Sequence, residues 1–242
     1  MVVSRKVWEW AYIIRVLEHY NCLQSGKTGL GFAVGTEPLV SYFASTGAKV
    51  LASDLSAEDV AAGVWISTQQ NAGGNLEALF QANLCTKEQF DHNVRYQSIN
   101  MNKLPEGLGK YDFCWSSCAI EHVGSLTLSK EFLKNMLEHL KPSGIAVHTI
   151  EFNLSSNTDT IEDGDAVIFR KCDIEEMKAY FLAHGCTMET SYNRGTSEAD
   201  AAIDIAPYFS KGAPLHINLV LDGYASTSFA IVVQKKPAER NT

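Results

Sequence analysis

Apolar residues near the start of the chain recur at helical spacing. Trp10, Ile13, Ile14 and Leu17 share one stripe and predict an amphipathic helix over residues 5–22. Residues 30–34 read as a first strand that turns at Gly35, and a helix over 37–45 follows with Pro38 in its first turn, where a missing N–H costs little. The run 49–53 predicts a second strand closed by Asp54, and the Ala-rich stretch 57–82 predicts helix interrupted by Gly73 and Gly74. Residues 95–99 and 111–116 supply two more strands, and Phe132, Leu133, Met136, Leu137 and Leu140 mark the apolar face of the next helix. Lys141-Pro142-Ser143-Gly144 stops that helix, and 145–150 is a fifth strand. Asp173 to Glu176 resembles a capping box opening a helix to His184, with Gly185 ending it. The last apolar runs, 215–221 and 228–234, flank Asp222-Gly223, a strong hairpin signal. Strands alternating with helices and closed by a hairpin predict an α/β fold, its sheet mostly parallel with an antiparallel end.

Composition narrows the class. The 242 residues, 45% hydrophobic and 20% charged, suit one domain over 1–242, with residues 1–25 as a helical lid over the sheet edge or a ligand. No apolar run approaches the roughly 18–20 residues of a membrane span, and the first ten residues lack a secretory core, so a soluble cytoplasmic protein is expected. A charge of −8 without a Lys/Arg cluster argues against nucleic acid. Six cysteines without CxxC spacing predict free thiols and no structural zinc.

The candidate chemistry begins at the turn from Gly29 to Pro38. Small residues at alternate positions would let a ligand approach backbone at a helix N-terminus. Asp54, 19 positions after Gly35, stands where a carboxylate can accept both ribose hydroxyls of an adenosine-containing ligand, or cap the next helix. A dinucleotide fingerprint would need GxGxxG, yet Gly31 to Thr36 lacks the middle glycine and Glu37 would repel phosphates. A cationic sulfonium tolerates that acid, which favours S-adenosylmethionine over the NAD of a nucleotide-dependent oxidoreductase.

At this point the chain resembles a class I S-adenosylmethionine-dependent methyltransferase over nearly its full length. Gly31 to Glu37 stands as the glycine-rich motif and Asp54 as the ribose acid, Tyr111 to Ser116 matches the fourth strand, and Glu121-His122-Val123 matches the Glu-His after it. The longer strings Gly31 to Leu39, Trp115 to Leu126 and Ala146 to Asn153 resemble a bacterial subfamily associated with glycan assembly. The resemblance implies a Rossmann-like seven-stranded sheet with an antiparallel C-terminal strand and helices on both faces. It implies cofactor contacts at Gly31, Gly35, Glu37, Asp54, Leu55, Asn100, Met101 and Ser116, with Asn100 at the adenine amino group and Met101 on the ring. It implies O-methylation of a sugar or glycan hydroxyl. A non-catalytic S-adenosylmethionine-binding regulatory module is the alternative.

Glu121 and His122 follow the fourth strand, and His148 and Glu151 lie in or after the fifth, on the rim where open α/β sheets place ligands. His122 is the expected general base, with Glu121 and His148 as catalytic partners. Some relatives hold a metal through Glu-x-x-Glu-His; here Cys118 replaces the first Glu, and Glu121, His122, His148 and Glu151 remain a candidate Mg, Mn or Zn set. Residues 152–171 and 192–216 are expected to shape the acceptor pocket, with Glu151, Asn153, Arg170 and Tyr208 as substrate contacts, Arg170 facing an anionic group, and His216 nearby.

Overall fold

The computed structural model describes residues 4–59, 63, 70–210, 212 and 215–237. Of the predicted helix over 57–82, residues 60–62 and 64–69 lie outside them; from residue 70 to 82 the chain is turns and irregular backbone around a short 3-10 segment, Leu76–Leu79, in place of the expected helix.

Helix α1 (Arg5–His19) precedes β1 (Thr28–Gly31), α2 (Leu39–Ser45) and β2 (Lys49–Asp54). Then come α3 (Lys87–Asn93), β3 (Val94–Ser98), β4 (Tyr111–Ser117), α4 (Leu126–Met136), β5 (Leu140–Asn153) and α5 (Lys171–Ala183). The chain ends with β6 (Cys186–Thr190), α6 (Glu198–Ala201), β7 (Ile203–Asp204), β8 (Asn218–Leu221) and β9 (Tyr224–Lys235).

One sheet runs β3-β2-β1-β4-β5-β9-β8-β7, with β6 also on β9. The first five strands are parallel, and β9 is antiparallel to β5. The sheet has nine strands, not seven. At 12 residues β9 is long enough to carry two neighbours on its outer edge, β6 against Ile231 to Lys235 and β8 against Tyr224 to Thr227. Asp222 (φ 44°) and Gly223 (φ 88°) make the expected hairpin turn, both with the positive φ that a tight two-residue loop requires.

Each face of the sheet buries its own core. Ile13 and Leu17 of α1, Phe43 of α2 and Phe90 of α3 pack on Trp115 and Val147. On the other face Phe132 and Met136 of α4 and Met177 and Phe181 of α5 pack on Cys114 and Ile150. Helix α1 buries Ile13 and Leu17 as its pattern predicts, and with them Glu9. The capping residue of α5 lies three positions earlier than read: Arg170 is the N-cap and its N–H donates to Asp173 Oδ2 at 2.9 Å.

Candidate cofactor and methyl-transfer site

Strand order reverses between β1 and β4: β2 leaves β1 on one side and β4 stands on the other, so the crevice beyond the C-terminal ends of these strands is where ligands settle in open α/β sheets. After β1 the chain turns through Ala33 (φ 47°) and Gly35 (φ 54°). The small residues before this turn serve the sheet. A Cβ on Gly29 would sit 2.2 Å from the Phe113 ring and one on Gly31 2.3 Å from the Trp115 ring, and these pairs stand opposite one another in register. Gly31 is therefore required by an aromatic on β4 whatever else the turn does.

Gly35 has a different task. Its N–H donates to Asp54 Oδ2 at 3.0 Å, while Asp54 Oδ1 accepts from the Leu55 N–H at 2.9 Å and the Asn71 amide at 3.3 Å. Burial raises the Asp54 pKa, against the pull of the Leu55 and Gly35 N–H groups. The Ile99 N–H bonds the Asp54 carbonyl at 2.9 Å, which brings Asn100 and Met101 to the same rim. Met101 is buried in the core; the Asn100 amide donates to Asp59 at 3.2 Å, and its oxygen accepts from the Asn102 N–H at 2.9 Å.

The first turn of α1 closes the crevice. Lys6 Nζ meets Glu37 Oε1 at 2.9 Å, Glu9 Oε2 at 3.1 Å and the Ser117 carbonyl at 2.8 Å. Burial alone would lower the Lys6 pKa, but Glu37 and Glu9 hold it above the usual lysine range. Glu37 is raised, because its burial outweighs Lys6. Ser228 and Ser117 donate to the two Glu9 oxygens at 2.5 and 3.1 Å. Arg5 grips Glu151 with two contacts of 2.7 Å. The first turn of α1 is thus an ion-paired clamp on the strand ends. None of Arg5, Lys6, Glu9 or Ser228 was picked out from the sequence, although Glu9, four residues before Ile13 on the buried stripe, is the signal that could have found them.

Cys118 (φ 45°) turns the chain out of β4 into a 3-10 turn, Ile120–His122. Glu121 is fully buried with its Oε2 unpartnered, and burial and then the charge of Glu151 push its pKa up to about 8. It is a neutral acid at pH 7. His122 Nδ1 lies 2.6 Å from the Asp165 carbonyl. A carbonyl only accepts, so Nδ1 carries the proton and the lone pair of the neutral ring is on Nε2. Burial lowers the His122 pKa, which keeps the ring neutral at pH 7.

The four candidate metal ligands do not converge. Residues an odd number apart on a strand face opposite ways, and β5 sends His148 to the α4 side, where its Nδ1 meets Ser116 Oγ at 2.7 Å and its ring meets the edge of Phe132. Glu151 goes to the α1 side and holds Arg5. Burial drives the His148 pKa down to about 3. Among the described residues no three His, Cys, Asp or Glu side chains gather as a metal site, so the set does not fit a metal. Its Ser116 partner contributes to this buried pair on the far face.

The substrate candidates also separate. Arg170 directs its guanidinium to Glu162 (2.7 Å), Asp173 (2.8 Å) and the Thr158 carbonyl (2.6 Å), which fixes the loop before α5 and neutralises the charge expected to face an anionic group. Asn153 organises the same loop, donating to the Asp159 carbonyl and accepting from Ser155 and Ser156. Glu151 is taken by Arg5, and the Tyr208 hydroxyl donates to the Val220 carbonyl. All six cysteines are unpaired thiols. No helix among the described residues is long and apolar enough to cross a membrane.

Residues 30–148 match the family described as a methyltransferase domain. This segment holds the glycine turn, Asp54, Asn100 and the Glu121-His122 pair. No curated protein matches the chain. Among solved structures it is similar to magnesium protoporphyrin IX methyltransferase from Synechocystis PCC 6803 with bound S-adenosylhomocysteine, at TM-score 0.55 and 11% identity over 94% of this chain and 82% of that one. It is similar to 1,6-didemethyltoxoflavin-N1-methyltransferase from Burkholderia thailandensis, at TM-score 0.55 and 13% identity over 96% and 79%. The cyclase SpnF shares the architecture as well, at TM-score 0.57 and 13% identity over 94% and 82%. At these identities the likeness shows the fold: a Rossmann-like methyltransferase fold, with its sheet extended to nine strands. With the domain match it supports an S-adenosylmethionine-dependent methyltransferase.

Proposed function

We propose that the protein transfers the methyl group of S-adenosylmethionine to a hydroxyl oxygen of a sugar or glycan. The observation that carries the cofactor reading is the Gly35 N–H to Asp54 carboxylate bond at the strand-order reversal: it holds an acid at the crevice where an adenosyl ribose would meet it. Asp54 would exchange the Asn71 amide for ribose hydroxyls, Asn100 and Met101 would receive the adenine, and Glu37 would face the cationic end. The bound cofactor supplies the electrophilic methyl group.

His122 Nε2 takes the acceptor's hydroxyl proton as the new C–O bond forms, and Glu121, protonated at neutral pH, offers a hydrogen bond beside it. The sugar hydroxyl is favoured by the subfamily strings, since fold does not fix substrate. Calorimetry with S-adenosylhomocysteine and with NAD tests the cofactor: tight binding of the first and none of the second is expected, and the reverse sinks the proposal. His122→Ala should lower kcat about 100-fold with little change in cofactor affinity; unchanged kcat removes His122 as the base.

A further inference from the structure

The outer edge of β9 is interrupted. β6 pairs with Ile231 to Lys235 and β8 with Tyr224 to Thr227, so among the described strands Ser228, Phe229 and Ala230 have no neighbour on that side. All three line a cavity of about 450 Å³, within the roughly 300–1,000 Å³ of small-molecule sites.

Two aromatic walls face it. Phe152 and Phe229 stack at 4.6 Å, with Tyr192 at 5.2 Å from Phe229. From α1, Trp8 and Tyr12 line the same cavity one turn apart with ring centroids at 5.2 Å, and Trp8 is 44% exposed although it is among the largest apolar side chains of that helix. The rest of the lining is chiefly neutral hydrogen-bonding chemistry: Asn193, Asn218, Thr227 and Ser228, beside the open strand edge. Its cation Arg5 is already neutralised by Glu151. Arg194 lies against Asp200, whose carboxylate caps its own helix through Ser197.

Two of the lining residues also touch the rim at the ends of β4 and β5. Arg5 lines the cavity while gripping Glu151 at the end of β5, and Ser228 lines it while standing 3.7 Å from the Cys118 sulfur at the end of β4.

We propose that this cavity, walled by Trp8, Tyr12, Phe152, Tyr192 and Phe229, holds the methyl acceptor, a ring compound with an apolar face and a hydroxylated edge of the kind a pyranoside presents. The inference rests on the methyl-transfer reading above. Flat aromatic walls receive the C–H face of such a ring, and the amides, hydroxyls and unpaired strand edge receive its rim of hydroxyls, which buried polar backbone otherwise lacks.

Saturation-transfer NMR on the full chain, with and without S-adenosylhomocysteine, tests it using a panel of methyl hexopyranosides and 4-hydroxybenzoate as a planar aromatic acid. At about 10 mM ligand, a level that detects millimolar affinity, at least one pyranoside should bind. Trp8→Ala and Tyr192→Ala should each weaken it at least fivefold, while Leu182→Ala, exposed on α5, should not. Homocysteine-form affinity should stay within twofold in all three variants. Preferential binding of the aromatic acid, no pyranoside binding, or binding indifferent to both aromatic variants would overturn the acceptor site while an intact homocysteine-form isotherm leaves the methyltransferase reading standing. Loss of that isotherm in the unaltered protein sinks the reading itself.

Discussion

The two ends of the crevice treat their buried acids in opposite ways. At the ends of β1 and β2, both Asp54 oxygens are met by chain donors from Gly35, Leu55 and Asn71. After β4, Glu121 Oε2 is buried with no hydrogen-bond partner. An unpaired buried polar group costs about 1–3 kcal/mol, so the Glu121 end holds unspent hydrogen-bonding capacity where the Asp54 end is already satisfied. The Asp54 end can thus keep its shape without ligand, whereas the Glu121 end gains from one.

The largest effect separating the two ends is a pH dependence. Glu121 rises from 4.5 to about 8 on folding. The folded state therefore holds a proton that the unfolded state has released, and the stability this confers is complete below the unfolded pKa and lost as pH climbs through about 8. The slope is about 1.4 kcal/mol per pH unit within that window. Urea denaturation of Glu121→Gln across the window should show the slope removed; an unchanged slope would mean that the acid is not held neutral. Arg5→Ala should cost about 3–5 kcal/mol by stranding the buried Glu151 charge, measured by the same method, and a loss under about 1 kcal/mol would show that the clamp is ornamental to stability. Asp54→Ala should weaken S-adenosylhomocysteine by about 1.5–3 kcal/mol in calorimetry, roughly 10- to 150-fold, with little effect on the pH dependence set by Glu121. Gly31→Ala should destabilise by about 1–3 kcal/mol through contact with Trp115, and pairing it with Trp115→Leu should cost less than the two changes summed. Additive costs would show that Trp115 is not what requires Gly31.

These contrasts also mark where the sequence speaks. Strand order, helix faces and the Asp222-Gly223 turn follow from local periodicity and backbone preference, and the spacing from Gly35 to Asp54 follows from one β-α-β passage. β6 and the two-residue β7 were passed over, β6 being a short half-exposed strand on an edge. The rim was harder because its pairings are long-range: Arg5 with Glu151 and Glu9 with Ser228 have no local pattern. Arg170 misled because its nearest acid, Asp173, lies three residues on in its own helix. The parting of His148 from Glu151 was within reach, since three positions along a strand always reverse the face.

The clamp of α1 has a consequence for the order of assembly. Helix α1 finds its polar partners far along the chain, at Glu151 and Ser228, and the Arg5 N–H finds its acceptor at the His216 carbonyl. A nascent chain can pair β1, β2 and β4 and still leave Glu9 and Arg5 without their full complement, so the clamp waits for β5 and β9. Loop-closure entropy of this span must be overcome before any of those bonds rewards it, which places completion of the clamp among the slow folding events and leaves α1 exposed to misassembly until β9 is in place.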